Sequence, residues 1–342
     1  MEEKKAILYT NNLSIGYKEN KRNANVLLDN LNFSIYPGDF ICLLGPNGCG
    51  KSTLLKTLCG IQKPINGDIF IDGKSITEYS NQELSKKISI VLTEILSVTN
   101  ATVYSIVSMG RYPYNNWLGV LNKEDFKIIN DVIDMTCLTS VKNNSFLELS
   151  DGIRQKVMIA RALAQYTPII LLDEPTVYLD APTRIEIILL LRKLSKELNR
   201  AIILSSHDID LALQTADAVF LISREKKMII DTPEDLVLNG HFENAFNKNG
   251  VRFQLHRGTF ETNAKRRFGL QVIGSKTEVF WTERALERIG ITANQSEKDA
   301  LGVVKVENFN GKLLWHLEIN TNKYKCHSIA ELIKQLTNFT RT

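Results

Sequence analysis

The chain has 342 residues, of which 44% are hydrophobic and 23% are charged, and its formal net charge is +4. This composition is ordinary for a soluble globular protein, and the length predicts one large domain and a smaller one. No apolar stretch approaches the roughly 20 residues that a membrane-spanning helix needs, and the first residues lack the apolar core of a signal peptide. We therefore expect a cytoplasmic protein. Its five cysteines are expected to be free thiols, because their spacing fits neither a metal site nor a redox pair.

The first 80 residues are predicted to form strands and turns around one helix. Strands are predicted at 7–17, 27–35 and 40–44, and a helix is predicted from residue 54. A further strand is predicted at 67–73, where a glycine stands at each end of an apolar run. Between about 95 and 165 the apolar positions recur at helical spacing, which predicts a helical subdomain.

Apolar strands then alternate with helices. Strands are predicted at 169–172, 201–205 and 218–222, and a helix is predicted at 183–198. Short, continuously apolar strands separated by helices indicate a parallel sheet covered on both faces, so the fold class is predicted to be α/β for a domain that spans 1–250.

Residues 251–342 are predicted to form a separate accessory domain of the α+β class. This part carries 15 Lys+Arg against 9 Asp+Glu, whereas the first 250 residues carry 27 against 29. The surplus fits either an anionic partner or a solvated basic face, and the run at 265–267 is too short to predict nucleic-acid binding. The predicted elements are strands at 270–273, 303–307 and 312–319, helices at 282–289 and 328–338, and a hairpin turn at Asn310-Gly311.

The most informative motif lies between the strand at 40–44 and the helix that follows it. Residues 45–53 fit the phosphate-loop pattern G-x-x-x-x-G-K-[ST] in the strand–loop–helix context that this loop needs. The glycines allow backbone N–H groups to turn toward phosphates, Lys51 can reach the outer phosphates, and the Ser52 hydroxyl can bind Mg²⁺. The predicted ATP-binding residues are Gly45, Pro46, Asn47, Gly48, Cys49, Gly50, Lys51, Ser52 and Thr53.

Two carboxylates end the strand at 169–172. Asp173 is predicted to hold Mg²⁺, and Glu174 is predicted to orient and polarise the attacking water. An Asp-Glu pair at a strand end can also be a plain loop start, but the upstream phosphate loop favours a catalytic pair.

The segment Leu149-Ser150-Asp151-Gly152-Ile153-Arg154-Gln155 resembles the signature sequence of ATP-binding cassette (ABC) ATPases, usually LSGGQ. The resemblance covers about 1–250 and implies a homodimer in which the signature of one copy closes over ATP bound to the other. The implied signature contacts are Ser150, Asp151, Gly152 and Gln155. Asp151 replaces a glycine of the family pattern, and its carboxylate is expected to point away from the γ-phosphate because like charges repel.

Further family elements are placed by the same resemblance. Tyr17 matches the aromatic that stacks on adenine, with a buried core tyrosine as the alternative. Asp180 matches the D-loop aspartate, and His207 matches the switch histidine that donates to the γ-phosphate in the transition state. Glu94 stands where the family has the Q-loop glutamine, and it is predicted as a metal ligand together with Ser52 and Asp173.

The segment Gly110-Arg111-Tyr112-Pro113 is similar to one found in importers of iron siderophores, haem and vitamin B12. It implies an ATPase subunit that binds a membrane permease, with an external substrate-binding protein as an indirect partner. The protein would then lie at the inner face of the cell membrane. Tyr112, Tyr114, Trp117 and Leu118 are predicted either to form the permease socket or to belong to the helical core. A soluble ABC ATPase, such as an iron–sulfur assembly factor, and a nucleotide-dependent scaffold with little turnover remain as alternatives.

Overall fold

The structure is a computed structural model that describes residues 5–18, 24–93, 100–115, 120–246, 251–254, 259–262, 268–293, 300–309 and 311–339. The chain divides into two compact units. The first comprises Met1–Asn247 with Phe253–Phe260, and the second comprises Lys248–Arg252 with Glu261–Thr342.

The strands of the first unit form two sheets. They are β1 (Leu8–Lys18), β2 (Ala24–Leu31), β3 (Ser34–Ile35), β4 (Phe40–Leu44), β5 (Asn66–Ile71), β6 (Lys74–Ser75), β7 (Ile88–Val91), β8 (Ile169–Leu172), β9 (Ala201–Ser205), β10 (Ala218–Ile222) and β11 (Met228–Asp231). The larger sheet has the order β11-β10-β4-β9-β8-β7, in which β7, β8, β9, β4 and β10 are parallel and β11 is antiparallel. The other sheet is antiparallel, with the order β2-β1-β5-β6 and β3 paired to β1.

Helices connect these strands. They are α1 (Lys51–Leu58), α2 (Asn81–Ser85), α3 (Val103–Ser108), α4 (Lys123–Met135), α5 (Asp151–Ala164), α6 (Ala181–Glu197), α7 (Ile209–Thr215), α8 (Pro233–Leu238) and α9 (His241–Phe246). In the described ranges, short 3₁₀ segments lie at Ile76–Glu78, Met109–Tyr114, Thr139–Val141 and Phe146–Glu148.

The two faces of the parallel sheet are buried against different layers. Phe40, Cys42 and Leu44 of β4 belong to a core shared with helices α3 to α7, whereas Ile41 and Leu43 belong to a core shared with α1 and the antiparallel sheet. Alternate residues of a strand point to opposite faces, so every residue of β4 is buried. The predicted α/β class with a parallel sheet covered on both faces is confirmed.

The second unit is built around one sheet of the order β15-β14-β16-β17-β18. The elements from residue 251 onward are β12 (Val251–Gln254), β13 (Thr259–Thr262), β14 (Gly269–Ile273), α10 (Lys276–Arg288), β15 (Thr292–Ala293), β16 (Gly302–Phe309), β17 (Lys312–Ile319), β18 (Asn322–Cys326) and α11 (Ile329–Phe339). β12 and β13 form a separate two-stranded sheet, and Phe253 stacks on Phe242 in the core of the first unit. Leu270, Val304, Leu317, Leu332 and Leu336 are among the buried residues of the second unit.

Several predicted bounds are wrong for identifiable reasons. The predicted strand 27–35 is two strands, because the chain breaks after Leu31, where the Asn32 side chain accepts a hydrogen bond from the Asn12 backbone. Helix α10 begins at Lys276 and not at 282. The prediction missed its first turns because exposed apolar side chains there, such as Trp281, obscure the helical period of the sequence. The predicted hairpin joins β16 to β17, with Phe309 opposite Lys312, although Asn310 lies outside the described residues. β18 was not predicted, because its residues are mostly polar and only pairing with β17 defines it.

Candidate functional site

The phosphate loop and the Asp173-Glu174 pair meet at one edge of the parallel sheet. β9 lies between β4, which leads into the phosphate loop, and β8, which leads into the Asp173-Glu174 pair. The three strands are parallel, so their carboxyl ends reach the same edge. Ligands of open α/β sheets bind outside such carboxyl ends, and this position is therefore suited to a nucleotide.

The phosphate loop wraps around the N-terminus of α1. Gly50 is the N-cap residue with φ +109° and Gly48 has φ +75°, conformations that glycine adopts without steric cost. The Lys51 ammonium is buried and donates hydrogen bonds to the carbonyl oxygens of Gly45 at 2.9 Å and Pro46 at 3.3 Å. This loop can present N–H groups and one cation to an anion.

The cleft above the loop has a volume of about 490 Å³. Tyr17 stands at its edge, where its hydroxyl lies 2.9 Å from Thr53 Oγ1 and 52% of the residue is exposed. A buried core tyrosine, the alternative for Tyr17, is therefore wrong. The residues that line the cleft are Tyr17, Leu27, Asn47, Gly48, Gly50, Lys51, Ser52, Thr53, Glu174 and His207. Cys49, in the same loop, is half-buried, and this burial raises the pKa of its thiol.

Three oxygen atoms form a cluster at the end of β8. The Ser52 hydroxyl donates to Asp173 Oδ1 at 3.0 Å, and the Ser205 hydroxyl donates to the same oxygen at 2.7 Å. Asp173 is only 5% exposed, so these bonds compensate for the water that its carboxylate loses. Ser52 and Asp173 are thus close enough to bind one Mg²⁺, as the sequence predicts, and hydroxyl and carboxylate oxygens are ligands that Mg²⁺ prefers.

Glu174 and His207 form a direct pair at the mouth of the cleft. His207 Nε2 lies 2.6 Å from Glu174 Oε1, and the backbone of Glu174 is left-handed with φ +49°. A left-handed residue that is neither glycine nor asparagine carries backbone strain, which is commonly found at functional sites. The Glu174 backbone N–H donates to Ser205 Oγ at 2.8 Å, and this bond helps to hold the strained conformation.

The signature residues lie at the N-terminus of α5. Ser150 is the N-cap residue, but its hydroxyl makes no capping hydrogen bond. The Asp151 side chain is 63% exposed and pairs with Arg154 at 3.4 Å, and its direction relative to a γ-phosphate of a second copy stays a prediction. Asp151 and Gln155 line a second cavity, together with Thr93, Phe146, Tyr178 and others.

The signature and the D-loop are close together. A Cβ atom on Gly152 would lie 2.6 Å from Thr183 Cγ2, so this glycine allows α5 to approach α6. Asp180 is the N-cap residue of α6 and accepts a hydrogen bond from the Thr183 backbone N–H at 3.1 Å. The bonds from Thr183 lower the pKa of the Asp180 carboxyl.

Glu94 lies outside the described residues, so its role stays a prediction from the sequence. Its neighbour Thr93 is described, and the Thr93 hydroxyl donates to the Asp173 backbone carbonyl at 3.0 Å. The residue before Glu94 is thereby joined to the end of β8.

The Gly-Arg-Tyr-Pro segment is anchored to α5 by its first two residues. A Cβ on Gly110 would lie 2.2 Å from the Arg161 carbonyl oxygen, and buried Arg111 donates to Asp125 and to the Ala164 carbonyl. Tyr112 is 69% exposed, as a socket residue would be. Tyr114 is half-buried against the Arg111 guanidinium, and this burial raises its pKa. Trp117 and Leu118, the remaining predicted socket residues, lie outside the described residues.

Sequence reasoning missed Ser205 and Arg154. Arg154 donates to the carbonyl oxygens of Phe146 and Leu147 and thereby fixes the turn before the signature. Ser205 follows four apolar residues at the end of β9, and a hydroxyl at the end of the strand next to the Asp173 strand is a signal that could have identified it.

Among the described residues, no group of three or more His, Cys, Asp or Glu side chains is arranged to hold a metal ion. No helix in the described ranges combines the length and the apolar character that crossing a membrane requires.

Comparisons with known proteins agree with the predicted family. The profile described as "ABC transporter" matches residues 28–177, and the profile described as "Iron ABC transporter C-terminal domain" matches residues 268–337. An ABC transporter ATP-binding protein of Methanocaldococcus jannaschii is 42% identical over 231 residues, which cover 68% of this chain and 78% of the relative. The iron(3+)-hydroxamate import ATP-binding protein FhuC of Bacillus subtilis is 38% identical over 223 residues, 65% of this chain and 80% of the relative.

Solved structures lead to the same family. A metal-chelate type ABC transporter in an inward-facing conformation matches 68% of this chain and 84% of its own, with 30% identity and a TM-score of 0.57. A dimeric ATP-binding cassette bound to ADP and Pi matches 66% of this chain and 98% of its own, with 29% identity and a TM-score of 0.57. In the second unit, where the sequence showed no motif, residues 268–337 thus match a C-terminal domain described for iron ABC transporters. The chain belongs to the family of ABC transporter ATP-binding proteins, ATPases that power transport.

Proposed function

We propose that this protein is the ATP-hydrolysing subunit of an ABC importer whose substrate is an iron chelate, with haem or cobalamin as the alternatives. The observation that carries the proposal is the match of residues 268–337 to an iron ABC transporter C-terminal domain. The similarity of the first part to an iron(3+)-hydroxamate import protein supports the same substrate class.

ATP is proposed to bind along the cleft from Tyr17 to Lys51. The half-exposed ring of Tyr17 can stack on adenine, while the loop N–H groups and the Lys51 ammonium bind the phosphates. Lys51 would exchange the carbonyl oxygens of Gly45 and Pro46 for phosphate oxygens, which are stronger acceptors because they are charged.

Ser52 and Asp173 are the proposed Mg²⁺ ligands, with Glu94 as a third ligand from the sequence prediction. Support comes from the 3.0 Å separation of Ser52 Oγ and Asp173 Oδ1. When bound, Mg²⁺ neutralises negative charge on the transferred phosphoryl group.

Glu174 is the proposed general base. Its carboxylate takes a proton from water while the water oxygen bonds to the γ-phosphorus and the bond from that phosphorus to the ADP oxygen breaks. His207 is proposed to donate a hydrogen bond from Nε2 to a γ-phosphate oxygen in the transition state. Its 2.6 Å contact with Glu174 supports a proton on Nε2, because an ionised carboxylate only accepts, and Nε2 would exchange this acceptor for the phosphate oxygen.

A homodimer is proposed to complete each ATP site. The N-terminus of α5 in one copy, with Ser150, Gly152 and Gln155, would contact the γ-phosphate of ATP held by the other copy. Asp151 and Gln155 of the signature line a separate cavity and do not line the ATP cleft of the same chain. The proposal is supported by this separation, because a second copy could bring its signature to that cleft. Asp180 would cross the interface beside the signature, since both motifs approach Thr183.

Integral-membrane permease subunits are the proposed partners, and through them the protein would lie at the inner face of the cell membrane. A substrate-binding protein outside the membrane would act indirectly, and no nucleic-acid partner is proposed. The exposed side chain of Tyr112, in the segment anchored on α5, is a candidate permease contact. ATP-driven closure of the dimer would change the conformation of the permease, and hydrolysis would reset it.

The accessory domain, which we propose to span 251–342 after an ATPase domain of 1–250, is proposed to regulate turnover or to stabilise the dimer. Deleting 268–339 tests this role and spares Phe253, which packs in the core of the first unit. A deletion variant with unchanged ATPase activity, dimerisation and transport would contradict both forms of the proposal.

The experiment that tests the proposed function compares wild-type protein with Glu174→Gln in membranes that contain the candidate permease. Wild type should hydrolyse ATP and co-purify with the permease, whereas Glu174→Gln should bind ATP without turnover. Recovery from the soluble fraction alone, with permease present, would favour a soluble ABC ATPase. Wild-type protein that binds ATP with almost no turnover would indicate a scaffold.

A further inference from the structure

Ser205 lies between the two strands that lead into the phosphate loop and the Asp173-Glu174 pair. It is the last residue of β9, and β9 is flanked by the phosphate-loop strand β4 and the Asp173 strand β8. In the registers of these pairs, Ser205 lies opposite Leu43 on one side, and Leu204 lies opposite Leu172 on the other. Ser205 is therefore placed beside Asp173, and it is fully buried.

The chemistry of the two contacts fixes the direction of both hydrogen bonds. An ionised carboxylate can only accept, so the Ser205 proton points to Asp173 Oδ1 at 2.7 Å. A backbone N–H can only donate, so the Glu174 amide points to a lone pair of Ser205 Oγ at 2.8 Å. One hydroxyl thus holds the side chain of the metal-binding residue and the backbone of the proposed base.

The contact of Ser205 with Asp173 differs from that of Ser52 in one respect. Ser52 also donates to Asp173 Oδ1, but the Ser52 oxygen is needed as a metal ligand. When a divalent cation binds, the Ser52 proton must leave Asp173, whereas the Ser205 bond can persist. Among the described residues, Ser205 would then be the donor that still orients Asp173 through this oxygen.

We propose that Ser205 is a positioning residue for hydrolysis, which orients Asp173 toward the divalent cation and holds Glu174 in its left-handed conformation. This inference rests on the proposed ATPase function. Hydrogen bonds to metal-binding carboxylates orient them, and losing such a partner typically costs about 10–100-fold in metal affinity or activity. Loss of the Ser205 hydroxyl should therefore weaken the response to Mg²⁺ and slow turnover, while nucleotide binding without metal is preserved.

The test measures ATP hydrolysis by the full chain as a function of free Mg²⁺. Ser205→Ala should raise the half-saturating Mg²⁺ concentration and lower kcat by a combined factor of about 10–100, with the affinity for a fluorescent ATP analogue in EDTA unchanged. Ser205→Cys has a similar volume but only a weak donor, so it should behave like Ser205→Ala. Ser205→Cys also fills the buried volume, so it provides the test if Ser205→Ala does not fold.

Ser195→Ala is the matched control. Ser195 is also a fully buried serine, and its hydroxyl, which has one proton to donate, lies within 3.3 Å of the carbonyl oxygens of Gly38, Asp39 and Arg200. This control should lower stability without moving the Mg²⁺ requirement. An unchanged Mg²⁺ requirement and kcat in both Ser205 variants, or an equal shift in Ser195→Ala, would overturn the positioning role. Wild-type protein without ATPase activity would instead contradict the proposed function itself.

Discussion

Replacing Arg111 with methionine should destabilise the helical subdomain by about 3–5 kcal/mol. Arg111 is 4% exposed, and its Nε donates to Asp125 Oδ1 at 2.8 Å. Methionine fills similar space but leaves the Asp125 carboxylate, which is 1% exposed, as a buried charge without a cation. Loss of the bond to the Ala164 carbonyl at the end of α5 acts in the same direction.

Urea unfolding followed by circular dichroism measures this cost. A second substitution separates the buried charge from the loss of packing: Asp125→Asn keeps an oxygen for the Asn122 backbone N–H but removes the negative charge. The double variant Arg111→Met/Asp125→Asn should be more stable than Arg111→Met alone. A cost below about 1 kcal/mol for Arg111→Met, or no recovery in the double variant, would refute the buried-pair argument.

Four further results are expected. Lys51→Ala should weaken ATP binding by about 10–100-fold in equilibrium titrations, because one charge-assisted hydrogen bond is lost, and unchanged affinity would contradict its role. In a Glu174→Gln background, Asp151→Asn should tighten ATP-dependent dimerisation by up to about fivefold, because it removes a negative charge at the α5 N-terminus, where the γ-phosphate of the other copy is proposed to bind. Light scattering measures the dimer, and weaker dimerisation would show that the carboxylate assists closure. Gly110→Ala should lower stability by about 1–3 kcal/mol in thermal melts, because its Cβ meets a backbone carbonyl of α5 at 2.2 Å, and an unchanged Tm would refute that contact. N-ethylmaleimide at pH 8 should label exposed Cys137 but not Cys42, because burial raises the pKa of the Cys42 thiol to about 12. Mass spectrometry of the peptides identifies the labelled cysteines, and labelling of Cys42 ahead of Cys137 would contradict this prediction.

The sequence predicts the motif-bearing strands accurately because each is a short apolar run that ends in a polar motif. β4, β8, β9 and β10 have the predicted bounds, since burial on both faces leaves no polar position inside them. The helical spacing between 95 and 165 does not locate the start of α5, whose first residue is Asp151, inside the signature.

Contacts between distant parts of the chain could not be predicted from the sequence. Ser205 lies 32 residues from Asp173, and only the order of strands in the sheet makes them neighbours. Tyr112 and Tyr114 are two residues apart in one turn, yet only Tyr112 is exposed, because Arg111 packs on the ring of Tyr114. The spacing of the aromatic residues alone does not predict which of the two rings Arg111 covers.

Each ATP site is proposed to combine residues of two copies of this chain, and a mixing experiment with two inactive variants tests this composite site. Lys51→Ala damages the phosphate loop and Ser150→Arg damages the signature, so each variant alone should be almost inactive. In a mixed dimer, the intact phosphate loop of the Ser150→Arg copy meets the intact signature of the Lys51→Ala copy. Mixing the two purified variants should therefore restore ATP hydrolysis. A mixture no more active than its two components, measured where wild-type protein is active and dimeric, would contradict it.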